Sequence, residues 1–78
     1  MTEEIIKLEQ LSNEREQQII AKHIAEWQVA QKSGEINYKV GKAISNEQMQ
    51  ESATETIKNA IRAIEELSAM YDALEINE

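Results

Sequence analysis

The 78-residue chain has no cysteine, no proline, no phenylalanine and only two glycines. Without cysteine there is no disulfide framework and no thiolate metal site. Without proline there is no built-in helix breaker and no polyproline segment. Aromatic residues make up 4% of the chain, so any core must be aliphatic. No stretch approaches the ~20 consecutive apolar residues of a membrane-spanning helix, and no membrane partner is expected. The opening Met1-Thr2-Glu3-Glu4-Ile5-Ile6-Lys7 lacks the basic start and apolar run of a secretory signal. A cytoplasmic location is the expectation.

What is present is helix-forming and acidic. Apolar residues account for 41% of the chain, and 15 acidic against 8 basic side chains give a net charge of −7. An excess of carboxylates repels a phosphate backbone, so nucleic acid is not the expected partner. Chains this short seldom build a core worth more than a few kcal/mol. With disulfides excluded, self-association is the expected remedy.

Gly34 and Gly41 divide the chain into two arms. In the second, Ala53, Ile57, Ala60, Ile64, Leu67, Tyr71 and Leu74 follow alternating steps of four and three. That spacing keeps one seam of a helix facing a partner helix, and Ile61 and Met70 flank it. Ser45 or Asn46 suits the N-cap, with Gln48 in capping-box position after Ser45. The pattern predicts a helix over about residues 46–75. The first arm is apolar at Ile5, Ile6, Leu8 and Leu11, and again at Ile19, Ile20, Ile24, Trp27 and Ala30. It predicts a helix over about 3–32, ended by Lys32-Ser33-Gly34 with the glycine as a left-handed terminator. A break near Ser12, where Asn13 and Glu16 resemble a fresh helix start, is the alternative.

The connection is then 33–45. Within it Ile36, Tyr38 and Val40 alternate with polar residues as in a strand, while Ile36, Val40 and Ile44 lie four apart as in a helix. Both conformations stay open. The fold class is all-α in a single helical domain: two long antiparallel helices forming a hairpin that dimerises into a four-helix bundle. A three-helix bundle follows instead if the first helix breaks near Ser12. The expected core and dimer seam comprises Ile20, Ile24 and Trp27 with Ile57, Ala60, Ile64, Leu67, Tyr71 and Leu74. Tyr71 belongs near the bundle end, where its hydroxyl can reach water.

Little in the sequence is suited to catalysis. His23 is the single histidine, and Ile20 stands where a metal-binding helix would carry a glutamate three residues earlier. Glu26 lies three residues after His23, but no second motif matches it. Glycine-rich phosphate loops and nucleophile elbows are absent. No catalytic residue, no cofactor and no metal site is therefore expected, and the chain is read as a non-enzyme. Trp27 reads as a core-edge anchor and Met49 as a gap-filling core residue.

The charge is uneven. Residues 1–34 carry −2, residues 35–44 carry +1 and residues 45–78 carry −6. Glu51, Glu55, Glu65, Glu66 and Asp72 fall on the outward face of the second helix, and no base follows Arg62. The candidate partner-binding residues are Ile36, Tyr38 and Val40 of the connection, with Glu65, Glu66, Asp72 and Glu75. The expected function is that of a protein–protein interaction module, a regulator, adaptor or inhibitor, acting as a homodimer on a protein with a basic surface. One alternative is an acidic mimic of nucleic acid that inhibits a DNA- or RNA-binding protein. Another is a structural or assembly component such as a phage accessory protein. Direct nucleic-acid binding would need Lys7, Arg15, Lys22 and Lys32 as a basic stripe, which Glu14, Glu16 and Glu26 dilute.

Overall fold

The computed structural model describes residues 2–74, with side chains from residue 12 onward. Helix α1 spans Thr2–Ala43 and helix α2 spans Glu47–Ala73. They pack antiparallel as an all-helical hairpin: Gly41 lies against Gln50, Gly34 against Ile57, and Gln17 reaches Tyr71.

Helix α1 runs without interruption through Ser12–Gln18, so the break that would have made a three-helix bundle does not occur. That stretch contains Glu, Arg and Gln and no glycine, and its intrinsic preference is helical. At the other end the expected boundary is corrected. The helix does not stop at Gly34 but continues to Ala43, and the connection shrinks from 33–45 to the turn Ile44–Asn46. Of the two patterns open for Ile36, Val40 and Ile44, the four-residue spacing is the one realised, with Ile36 and Val40 inside α1.

The reason lies across the interface. Neither glycine adopts a positive φ, so neither serves as a left-handed terminator. Both are buried against α2. A Cβ built on Gly34 would sit 2.9 Å from Ile57 Cγ1 and 3.4 Å from the Ala53 carbonyl oxygen. One on Gly41 would sit 3.1 Å from Gln50 Cγ and 3.2 Å from both the Gln50 nitrogen and Met49 Cβ. The glycines therefore let two backbones approach closely, at the cost of about 1 kcal/mol each in helix propensity. Ala53 and Ala60 supply the matching small residues on α2 and are buried.

The turn closes by a Schellman motif with serine in the left-handed position. Ser45 has φ 56°, its amide donates to the Lys42 carbonyl at 3.3 Å, and the Asn46 amide donates to the Gly41 carbonyl at 2.8 Å. Asn46 is also the N-cap of α2, its side-chain oxygen accepting from the Met49 amide at 3.0 Å. One residue thus ends one helix and begins the next.

The two helices differ in length. At 1.5 Å per residue α1 is about 63 Å long and α2 about 40 Å, within a particle measuring 65 × 16 × 14 Å. The N-terminal part of α1 therefore runs roughly 20 Å beyond the end of α2.

Candidate interaction surfaces

The α2 half of the seam is apolar. Ala53 and Ala60 are buried, Ile57, Ile64, Leu67 and Leu74 are half-buried, and Tyr71 at the open end is 39% exposed. The α1 half is different. Ile20 is buried and Ile24 half-buried, but Trp27 is 38% exposed and the line continues through Gln31, Gly34, Tyr38 and Gly41. Sequence reading assigned Ile20, Ile24 and Trp27 to this seam and missed Gly34, Gly41 and the glutamines. The available signal was that Ile20, Trp27, Gly34 and Gly41 fall seven residues apart.

Two glutamines bridge the helices. Gln17 Nε2 donates to the Tyr71 carbonyl at 3.1 Å, and Gln50 Nε2 donates to the Gly41 carbonyl at 3.3 Å. No buried side-chain polar atom among the described residues lacks a partner. The seam is satisfied but thin, because among the described residues no large side chain is completely enclosed by the hairpin.

Tyr38 and Tyr71 each line an open groove beside the seam. One of about 430 Å³ is bordered by Tyr38, Gln50, Thr54 and Lys58 together with Glu47, Glu51 and Glu55, and another of about 270 Å³ by Ala21, Ile24, Ser68, Tyr71 and Asp72. His23 Nδ1 lies 3.6 Å from a Glu26 carboxylate oxygen along the same helix, with both side chains more than half exposed. Lys32 and Glu35 form a similar pair at 3.7 Å. Among the described residues no cluster of three His, Cys, Asp or Glu is placed to hold a metal ion, and no helix is long and apolar enough to cross a membrane.

The candidate partner-binding residues do not form one patch. Tyr38 borders the α2 groove, whereas Ile36 and Val40 are exposed on the opposite side of α1 together with Val29. A single loop would hold the three together; the helix separates them. Glu65, Glu66 and Asp72 are exposed on α2, with Glu51 and Glu55. Glu75 lies outside the described residues.

The site is thus a set of uncovered apolar and acidic helix faces on a hairpin. Comparison with protein-family models, curated proteins and solved structures finds no match to the chain.

Proposed function

We propose that this chain is a non-enzymatic interaction module that works as a homodimer, two hairpins joining as four helices whose acidic side engages a basic protein. One observation carries the dimer. The chain exposes 6350 Å², whereas a folded monomer of its mass exposes about 4,800 Å². The excess of roughly 1,500 Å² exceeds the ~800 Å² that each partner buries in a standard stable interface. Val29, Ile36 and Ile19 support the same reading, since the hairpin leaves each of them more than half exposed. A second copy is the partner always available at the right concentration.

Sedimentation equilibrium tests this directly. The dimer mass is expected across the micromolar range, and a monomer throughout that range overturns the proposal.

The exposed carboxylates of α2 favour a second reading, in which the module occupies the nucleic-acid site of a basic enzyme. Six acids face two bases along this helix, with none of the bases after Arg62. Such binding weakens steeply with salt. Association that is insensitive to salt, or unaffected by Glu65→Lys with Glu66→Lys, would exclude it.

A further inference from the structure

We infer that the second copy covers the face of α1 turned away from α2, and that the two α1 helices pack there antiparallel, with Lys22 of each chain facing Glu26 of the other. This rests on the homodimer reading above and adds the interface.

Helix α1 carries a second seam. Ser12, Arg15, Ile19, Lys22, Glu26, Val29, Ser33, Ile36, Val40 and Ala43 follow alternating steps of three and four, and every one is exposed. At ~100° per residue this line lies roughly opposite the Ile20–Trp27–Gly34–Gly41 line that meets α2. Three of its apolar members are among the most exposed large hydrophobic residues described: Val29 at 70%, Ile36 at 53% and Ile19 at 51%. A face meant only for water carries charged and polar residues at such positions.

The order of residues sets the orientation. In an antiparallel pair of seams, each position of one class faces the other class across the dyad. With the dyad level with Ile24, Val29 faces Ile19 of the second copy and Arg15 faces Ser33. Lys22 and Glu26 then meet twice, once on each side of the axis. Ile36 falls opposite Ser12. A parallel pairing in register would instead stack Arg15 on Arg15, Lys22 on Lys22 and Glu26 on Glu26, and like charges placed face to face oppose association.

Helix lengths agree with this register. The dyad falls near the middle of the 42-residue α1, so the two long helices overlap almost completely. The N-terminal part of α1, which runs past the end of α2, then gains a neighbour in the C-terminal part of the other α1. The four helices lie in the order α2–α1–α1–α2.

Charge exchange separates this interface from any other. Lys22→Glu and Glu26→Lys singly place like charges together across the dyad, and each is expected to raise the dimer dissociation constant roughly tenfold or more. The double variant K22E/E26K restores opposite charges and is expected to recover the dimer, while helical circular dichroism stays unchanged in all three. A dimeric wild type that ignores both single changes would place the interface elsewhere and overturn this inference alone. A monomeric wild type would remove the homodimer as well. Because the chain has no cysteine, orientation is read by oxidative crosslinking. Joint Ile19→Cys and Val29→Cys substitution is expected to give covalent dimer, and Val29→Cys alone is not. Efficient crosslinking by V29C alone would show a parallel pair and overturn the inference.

Discussion

Asn46 donates its backbone amide to the Gly41 carbonyl at 2.8 Å while its side chain accepts the Met49 amide at 3.0 Å. The reversal of the chain therefore depends on a few hydrogen bonds around one asparagine and on one left-handed serine.

Ser45 holds φ 56°, a conformation that disfavours residues with a Cβ by roughly 1–2 kcal/mol. Ser45→Gly removes that strain and is expected to stabilise the hairpin by about 0.5–1 kcal/mol, after allowing for the greater freedom of glycine when unfolded. Asn46→Ala removes the cap and is expected to destabilise by about 1 kcal/mol. Thermal melts by circular dichroism should move in opposite directions for the two variants.

Gly34→Ala and Gly41→Ala test the close approach. On an isolated helix either change is favourable by about 1 kcal/mol. Here the new methyl meets Ile57 Cγ1 at 2.9 Å in one case, and the Gln50 nitrogen and Met49 Cβ at 3.2 Å in the other. Overpacking costs about 1–3 kcal/mol, so both variants are expected to melt at lower temperature. Gly41→Ala should suffer more, because its neighbours are backbone or directly attached to it. A rise in melting temperature would show that the helices part easily.

Among the described residues Ile20 is the one large side chain that the hairpin buries well, at 7% exposure. Ile20→Ala is expected to cost about 2–4 kcal/mol, a large share of the stability available to a domain of this size. Urea titration should show a lower midpoint, whereas Met70→Ala, at an exposed position, should stay within about 0.5 kcal/mol of wild type.

The last turn of α2 contains Asp72 and no base, against the preference of the negative end of a helix dipole. Asp72→Lys is expected to stabilise by about 0.5 kcal/mol at low ionic strength. The gain should shrink as salt is added. Melts in low and high salt measure both effects.

A homodimer also makes stability depend on concentration. Association with the folded state raises the melting temperature as protein concentration increases. Melts at two widely separated concentrations should therefore differ, and coincident curves would speak for a monomer.

Much of this molecule was legible in one dimension because its information is local. The Ala53–Leu74 spacing identifies α2 and its inward face, since helical periodicity needs no knowledge of a partner. Asn46 was one of two residues suited to the cap, and the acidic bias of the second half is visible by counting. Chain composition likewise made helix the only economical architecture. The length of α1 was decided by tertiary structure. A glycine that ends a helix and a glycine that admits a neighbouring backbone read alike in a sequence. Only the arrival of Ala53 and Ile57 beside Gly34, and of Met49 and Gln50 beside Gly41, selects the second use. The same contact carries α1 through residues that alternate like a strand, because close packing along a continuous helix outweighs their weak local preference.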